Sequence, residues 1–401
     1  MTTDKHNKRP NVPPLRFPEF TEPWEMAKLG AIAEFSKGTG ISKEQRSETG
    51  LPCILYGELY TTYTNEVIED VVSKTDLDPT DLVKSQKNDV IIPSSGETAE
   101  DIATARCVTS DNVLLGGDLN IIRLVEPNDG RFMSYQLNGI RKYDIAKIAQ
   151  GVSVVHLYGG DLKMLSVTFP QSPEQKKIAD CISLLDRRIS VQSGLINKLE
   201  SLISGITLSI VKSNNCESIH LSELLTERNE VNTAQYEVYS VSVSQGVVNQ
   251  VEYLGRSFAA KDTSNYNVVH YGDIVYTKSP TGDFPYGIVK RSNQAKPVAV
   301  SPLYGVYIPA SNDIGCFLHY YFCNAVSTKN YLHKLIQKGA KNTINITNQR
   351  FLENTIKVPN AEKLAIVVKL LNQLSVKKQR AEDLLALYRK QKQHLLSQMF
   401  I

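Results

Sequence analysis

A narrow apolar stripe at helical spacing is the strongest hydrophobic pattern in this chain. From Pro173 to Ser213, apolar residues recur at alternating steps of three and four, the a/d pattern of a coiled-coil seam over about four heptads. Pro173 suits the first turn of a helix, and Glu174 suits the positive end of its dipole. At about 1.5 Å per residue, such a helix spans roughly 60 Å. The predicted seam, interrupted by one glutamine, comprises Ile182, Leu185, Ile189, Gln192, Ile196, Leu199, Ile203, Ile206 and Ile210.

The same stripe returns at the C-terminus. The second copy is more polar, because Lys378 and Lys392 stand where the first copy has Ile189 and Ile203. A single such helix would more often be ordinary core, but two copies in one register indicate an internal repeat. Because so narrow a stripe needs a partner helix, we expect the two helices to pair. One constant shift along the chain carries Pro170 onto Pro359 and the first seam onto Val367, Leu371, Leu374, Leu385, Tyr388, Leu395 and Met399.

The segments before and after the first helix predict two similar globules. In the first, residues 88–92 form a turn into a buried strand, residues 94–97 break it, and residues 131–149 are helical in pattern. Residues 272–275, 279–282 and 318–335 repeat this order. The predicted fold class is α+β: two similar mixed α/β domains separated by two long helices in an antiparallel coiled coil, with a pseudo-twofold internal repeat. The predicted domains are 1–169 (with 1–16 a loose leader), a central helical spacer at 170–214, a second domain at 215–358 and a C-terminal helical spacer at 359–401.

Length and composition narrow the class of protein. A chain of 401 residues is too long for one ordinary core. The net charge of +3 neither favours nor excludes nucleic acid, because a basic face can lie within a balanced total. No uninterrupted apolar run approaches the roughly 20 residues that span a bilayer, and the N-terminus lacks a signal peptide's apolar core. The six cysteines show no C-x-x-C pair, which indicates reduced cysteines rather than a zinc site. We therefore expect a cytoplasmic protein with no metal and no membrane partner.

The sequence lacks the motifs of ATP hydrolysis, of methyl transfer and of nuclease chemistry. It has no G-x-x-x-x-G-K-[ST] phosphate loop, no N-P-P-[FY] tetrapeptide of adenine methyltransferases, and no Gly-rich strand-to-helix turn typical of an S-adenosylmethionine site. Asp89 and Asp273 lack the paired Glu-x-Lys of a nuclease, and turn capping explains both better. The seven histidines include no H-x-x-x-H pair. These observations predict a chain without a catalytic centre.

Four stretches carry a family resemblance. They are L-R-F-P-E-F followed by W-E-M-A-K-L-G near the start, P-Q-S-P-E-Q-K-K-I at 170–178, Y-S-V-S-V-S-Q-G-V-V at 239–248, and K-D-T-S-N-Y-N-V-V-H-Y-G-D-I-V-Y at 261–276. Over almost its whole length the chain resembles the specificity (S) subunit of type I restriction-modification enzymes. It departs from that pattern at the second spacer, where N-A-E-K-L replaces the P-E-Q start.

The resemblance implies a function. In that family, two target-recognition domains each read one half of a bipartite, asymmetric site on double-stranded DNA, and the helices set the spacing. The resemblance also implies a non-catalytic chain that works with two modification subunits, which use S-adenosylmethionine, and two restriction subunits, which use ATP and Mg²⁺. Two alternatives stay open: the recognition subunit of a type IIB-like restriction system, and a coiled-coil scaffold without a DNA role.

Loops rich in Gly, Ser and Lys, at matching places in both globules, supply the candidate DNA contacts. Sequence recognition needs hydrogen-bonding groups on exposed loops, with cations that hold phosphates. For each lysine the competing interpretation is a solvated surface charge. The candidates for phosphate contact are Lys37, Lys43, Arg46, Lys278 and Lys341. The candidates for contact with bases or sugars are Tyr60, Tyr63, Ser95, Ser153, His156, Gln245, Thr281, Asn342 and Asn345.

Overall fold

The protein forms two compact units that share two long helices. Its computed structural model describes residues 11–213, 215–256, 259–338 and 344–401. The first unit comprises Met1–Ser193 with Asp383–Ile401, and the second comprises Gly194–Glu382. The long helices run from Ser172 to Lys212 and from Ala361 to Gln398, so each contributes residues to both units. The first begins within one residue of its predicted start, with Pro173 in its first turn.

The first unit is a mixed α/β domain. A short 3-10 turn at Lys43–Gln45 precedes its third strand. In chain order its elements are β1 (Glu25–Lys28), α1 (Leu29–Ile32), β2 (Ala33–Lys37), β3 (Arg46–Ser47), β4 (Leu51–Ile54), α2 (Glu58–Thr61), β5 (Val67–Ile68), β6 (Ser73–Thr75), β7 (Val90–Pro93), β8 (Ser95–Gly96), α3 (Ala99–Ile102), β9 (Arg106–Val108), β10 (Leu114–Leu115), β11 (Leu119–Leu124), α4 (Gly130–Asn138), α5 (Lys142–Ile148), β12 (Val155–His156), α6 (Gly159–Lys163), β13 (Ser166–Phe169) and α7 (Ser172–Lys212).

A five-stranded sheet, in the order β2-β11-β7-β9-β5, is the centre of the first unit. Strand β7 is buried at every position, which is why its sequence is a continuous apolar run rather than an alternating one. Its neighbours β11 and β9 are both antiparallel to it. Strand β1 pairs with β13, with Glu25 opposite Phe169, so the first strand of the domain is tied to the strand that leads into α7.

The second unit is also a mixed α/β domain. Its elements in chain order are β14 (Cys216–His220), α8 (Leu221–Leu224), β15 (Leu225–Glu227), β16 (Tyr239–Ser242), β17 (Gly246–Asn249), α9 (Gln250–Leu254), β18 (Asn267–Val269), β19 (Ile274–Thr277), β20 (Ile288–Arg291), β21 (Val298–Val300), β22 (Gly305–Pro309), α10 (Asn312–Cys323), α11 (Ala325–His333), β23 (Gln337–Lys338), β24 (Ile344–Asn345), α12 (Asn348–Phe351), β25 (Thr355–Pro359) and α13 (Ala361–Gln398).

The two units repeat one another, as the sequence predicts. The sheet order β15-β22-β19-β20 reproduces β2-β11-β7-β9, with antiparallel neighbours throughout both sets. Strands β14 and β25 pair as β1 and β13 do. Each of the two predicted helical segments, 131–149 and 318–335, is divided into two helices in the structure. Gly139 separates α4 from α5, and Asn324 separates α10 from α11. Asn324 breaks the helix because its side chain caps α11 by accepting a hydrogen bond from the Ser327 N–H.

The long helices pack antiparallel within each unit. In the first, Ile178 and Ile182 of α7 share a core with Met399, near the end of α13. In the second, Ile210 of α7 shares a core with Leu364, near the start of α13. Every predicted seam residue of α7 is buried or half-buried, which confirms the seam. By length and composition alone, α7 would also pass as a membrane-crossing helix, although its apolar residues do not form one uninterrupted run.

The two seam lysines differ in their surroundings. Lys392 is half-buried and lies between Asp186, at 2.6 Å from Nζ to Oδ1, and Glu66. Tyr135 donates a hydrogen bond of 2.7 Å to the other oxygen of Asp186. Burial raises the pKa of Asp186, an effect that Lys392 opposes. In the second unit, Lys378 pairs at 3.0 Å with Glu200, whose side chain is 53% exposed. The polar positions of the second seam are therefore half-buried lysines in ion pairs, one with buried carboxylates and one with an exposed carboxylate.

Candidate nucleic-acid interface

An arginine–aspartate clamp fixes the start of the central strand in the first unit. Asp89 is buried, and its Oδ2 accepts a 2.8 Å hydrogen bond from the Gln86 N–H. Arg123 of β11 donates from Nε and Nη2 to the two carboxylate oxygens, each at 2.8 Å. Asn88, before the clamp, has a φ of 81°. The carboxylate therefore caps a turn and ties β7 to its neighbour.

The second unit contains the same clamp. Asp273 is buried and accepts a 2.8 Å hydrogen bond from the His270 N–H. Arg228 donates to its two oxygens at 2.8 and 2.9 Å. Gly272 stands where the first unit has Asn88, with a φ of 93°. Turn capping by both aspartates is thus confirmed. The bidentate arginine, which the sequence did not reveal, occupies the oxygens that a nuclease would need for metal.

At the opposite end of β7, the structure brings together the segments that carry two predicted DNA-contact residues, Ser95 and His156. The Ser94 carbonyl accepts a 3.0 Å hydrogen bond from the Leu157 N–H, and β8 pairs with β12, with Ser95 opposite His156. Asn120 of β11, 1% exposed, donates a 2.9 Å hydrogen bond to the Leu157 carbonyl. Sequence analysis missed Asn120 because it lies within an apolar run. Its buried amide positions the loop that carries His156.

The loop from 152 to 158 presents an exposed surface. The rings of His156 and Tyr158 stack with centroids 6.3 Å apart and planes inclined by 26°. Both side chains are exposed, as is Ser153, and Val152 is 97% exposed. A flat, exposed ring pair on a loop held by backbone pairing offers a contact surface for sugars or bases. His156 and Ser153 are therefore exposed on one loop, and their contact with DNA stays a prediction.

The basic loop of the first unit, residues 37–46, carries two cations without an ion-pair partner among the described residues. Lys37, at the end of β2, and Lys43, in the 3-10 turn, are exposed, and neither forms an ion pair with a described residue. Arg46 differs, because its Nη1 lies 3.4 Å from Oε1 of Glu58, which is itself buried. Glu58 also accepts a 3.0 Å hydrogen bond from the Leu55 N–H. The pair joins the basic loop to α2, and it partly neutralises the charge that Arg46 offers a phosphate.

The two candidate tyrosines have different environments. Burial raises the pKa of Tyr60, which is half-buried on α2, with smaller contributions from Tyr56, Asp101 and Glu97. Burial also raises the pKa of Tyr63, whose hydroxyl accepts a 3.2 Å hydrogen bond from the Val72 N–H. Tyr63 is therefore a packing residue more than an exposed contact.

Ser95 also departs from the exposed position that we expected. Its side chain is only 9% exposed, and its backbone pairs with β12. The Gly/Ser composition of this stretch indicated an open loop, but long-range pairing makes it a short strand. Ser95 therefore supports the position of His156 opposite.

The second unit places its described candidates at several separate turns. Gln245 is exposed between β16 and β17, and Thr281 is exposed in a turn whose backbone bonds to Phe284. Lys278 is half-buried directly after β19, as Ser94 is placed after β7; burial lowers its pKa, and Glu227 opposes that shift. Asn345 lies on β24, paired in register with Gln337. Lys341 and Asn342 lie outside the described residues.

The described parts of the chain contain no group of three or more His, Cys, Asp or Glu side chains suited to a metal ion. All six cysteines are free, and burial raises the pKa of the Cys53 thiol to about 11. Against the raising effect of burial, His319 and Lys290 lower the pKa of the Cys323 thiol to about 6.

Comparison with known proteins agrees with this arrangement. Residues 21–201 match the family model described as the type I restriction modification DNA specificity domain. The crystal structure of a type I restriction-modification system S subunit from M. genitalium is similar, with a TM-score of 0.65 at 16% identity, over 97% of this chain and 99% of that one. A chain from a structural study of complex assembly and conformational transition of the type I R-M system gives a TM-score of 0.50 at 13% identity, over 94% and 97% of the two chains. No curated protein matches the sequence significantly. Residues 21–201 therefore resemble the type I restriction modification DNA specificity domain, and the chain shares the fold of an S subunit.

Proposed function

We propose that this chain is the DNA sequence-specificity subunit of a type I restriction-modification complex. One observation carries the proposal: the specificity-domain match lies on a fold that occurs twice, with the same sheet order and the same arginine–aspartate clamp. Each unit reads one half of a bipartite site on double-stranded DNA. Because corresponding loops differ in sequence, the two half-sites differ.

Binding in the first unit combines two kinds of contact. Lys37 and Lys43 hold phosphates, which sets orientation without reading sequence. Sugars or base edges are contacted by Tyr60 of α2 and by Ser153, His156 and the ring of Tyr158 in the loop from 152 to 158. The amide of Asn120 keeps the loop that carries His156 in place before DNA arrives, which lowers the entropy lost on binding. In the second unit, the proposed DNA contacts among the described residues are Gln245, Lys278 and Thr281.

The chain itself is proposed to be non-catalytic. Two modification subunits supply methyl transfer from S-adenosylmethionine, and two restriction subunits supply ATP- and Mg²⁺-dependent translocation and cutting. Both carboxylates that a nuclease would use are held by arginine side chains. The complex acts in the cytoplasm.

Co-expression with a modification subunit tests the function directly. We expect methylated adenines at one bipartite, asymmetric motif, mapped by sequencing that detects methylated bases. The purified chain alone should methylate nothing. A coiled-coil scaffold would yield no methylated motif with any modification subunit, and methylation by the chain alone would refute the non-catalytic assignment. A type IIB-like system would instead cut on both sides of the motif.

Exchange of one recognition domain should change one half of the motif. Replacing residues 216–355 with the corresponding segment of a relative keeps β1, β13 and the whole first sheet intact. We therefore expect the half-site read by the first unit to stay the same while the other half changes. Methylation mapping of the hybrid is the measurement. A hybrid in which both halves change would show that the units do not read DNA independently.

Neutralising the free cations should weaken DNA binding without changing sequence preference. We expect Lys37→Gln and Lys43→Gln each to lower the slope of log K against log salt by about one, on specific and unrelated duplexes alike. Arg46→Gln should lower it less, because Arg46 already pairs with Glu58. The matched control is Lys87→Gln: Lys87 is exposed and precedes β7, at the other end of that strand from Ser94. Equal slopes for wild type and both lysine variants would place the DNA surface elsewhere.

A further inference from the structure

The second unit contains a polar cavity that the DNA-reading loops do not use. It has a volume of about 270 Å³ and lies between the end of β20, the start of α10 and one face of α13. No aspartate or glutamate lines it. The lining residues are Tyr271, Arg291, Asn293, Asn312, Cys316, His319, Tyr320, Asn372, Ser375 and Val376.

Arg291 is a buried cation without a counter-charge among the described residues. Its exposure is 6%, and its only described side-chain hydrogen bonds go from Nη1 and Nη2 to the Oδ1 atoms of Asn293 and Asn312, both at 2.8 Å. Nε is buried and has no partner. The guanidinium also lies 4.8 Å from the centroid of the Tyr271 ring. An ionised side chain this far from water requires an anion or a complete set of hydrogen bonds, and Arg291 has neither.

Three exposed asparagines line the cavity beside Arg291. Because Arg291 occupies the Oδ1 atoms of Asn293 and Asn312, their Nδ2 groups remain to donate elsewhere. Asn372 is held in the same way, since the Tyr320 hydroxyl donates to its Oδ1 at 2.9 Å. No described residue accepts a hydrogen bond from any of these three Nδ2 groups. The cavity therefore presents one buried guanidinium and three amide donors, without a carboxylate acceptor.

A basic groove along α13 adjoins the cavity and shares Asn372 and Val376 with it. Lys369, Lys377 and Arg380 line this groove, and none of them pairs with an acidic residue in the described part of the chain. Asp313 is the one carboxylate in its lining. Positive charge outside a donor-lined cavity attracts anions toward it.

We propose that this cavity binds a phosphate group. A guanidinium and several amide donors match a phosphate better than a spherical halide, because each phosphate oxygen takes directed hydrogen bonds. The volume is sufficient for a phosphate with its attached sugar or for one backbone phosphate of DNA. The proposal is independent of which DNA sequence the protein reads.

Titration of the full-length chain with inorganic phosphate, at constant ionic strength, tests the site. The central variant is Asn312→Asp, which keeps the side-chain size and places a carboxylate against Arg291. We expect it to reduce phosphate affinity at least tenfold and to raise Tm, since it supplies the missing counter-charge. Arg291→Gln should also lose binding. Asp313→Asn should strengthen binding, because it removes the one carboxylate of the adjoining groove.

The matched control is Asn360→Asp. Asn360 caps α13 through a 3.0 Å hydrogen bond from the Lys363 N–H and does not line the cavity, so the same charge change should leave phosphate affinity unaltered. Competition with a short DNA duplex identifies the source of the phosphate: displacement indicates a backbone phosphate, and its absence indicates a small phosphorylated molecule. No measurable phosphate binding, or equal affinity in wild type and Asn312→Asp, would overturn the proposal.

Discussion

Replacing Lys392 by methionine should lower the free energy of unfolding of the first unit by about 3–5 kcal/mol, the cost of removing one partner from a buried charge cluster. Lys392 lies against Asp186 and Glu66, whose side chains are 6% and 11% exposed. Without the ammonium, two carboxylates remain close together and away from water. Chemical denaturation of the purified chain, followed by circular dichroism, measures the loss.

The repeat supplies a matched control for this substitution. Lys378→Met removes the other seam lysine, but Glu200 and Glu382 are 53% and 38% exposed and stay solvated, so the expected loss is below about 1 kcal/mol. Combining Lys392→Met with Asp186→Asn and Glu66→Gln should recover most of the stability, because it removes the stranded charges. Equal losses for Lys392→Met and Lys378→Met would show that burial of the cluster is unimportant.

The sign of the pH dependence follows from Asp186. Burial raises its pKa in the folded state, so the native protein holds this proton more strongly than the unfolded chain does. A raised carboxyl pKa adds stability as pH falls through the folded value, and this contribution is complete below the unfolded value, about 3.9. In Lys392→Met, which lacks the opposing cation, the pKa of Asp186 should be raised further. The difference in free energy of unfolding between wild type and Lys392→Met should therefore become smaller as pH is lowered from 7 toward 5.

The sequence predicted those features that depend on periodicity or on neighbouring residues. The a/d spacing around Ile196 and Leu199 gave the seam, and the turn before β7 gave the role of Asp89. Pairing between distant segments was not visible: β8 joins β12 across more than fifty residues, so Ser95 was expected on an open loop and is buried. Glu66 is 326 residues from Lys392, and no local pattern links them. The DNA-contact residues remain predictions for the same reason, because a solvated lysine and a phosphate contact share one local pattern.

The antiparallel register determines where the proposed spacer can be lengthened. Asp186 faces Lys392 in the first unit, and Glu200 faces Lys378 in the second. Residue numbers therefore increase along α7 in the direction in which they decrease along α13. Ile189 is therefore opposite the neighbourhood of Arg389. Lys378, its counterpart in the repeat, is not its partner in space. A matched insertion places one heptad after Ile189 and one after Arg389, which preserves the seam on both sides.

That double insertion should lengthen the unread gap in the DNA site by about three base pairs. One heptad adds ~10.5 Å of helix at ~1.5 Å per residue, and base pairs are ~3.4 Å apart. Both half-sites should stay the same, because neither recognition sheet is altered. Inserting two residues at each place instead turns the seams by ~200° away from one another and should abolish folding or binding. The measurement is the methylated motif of each variant in the presence of its modification subunit. If the heptad variant methylates at the original spacing, the helices do not set the distance between half-sites.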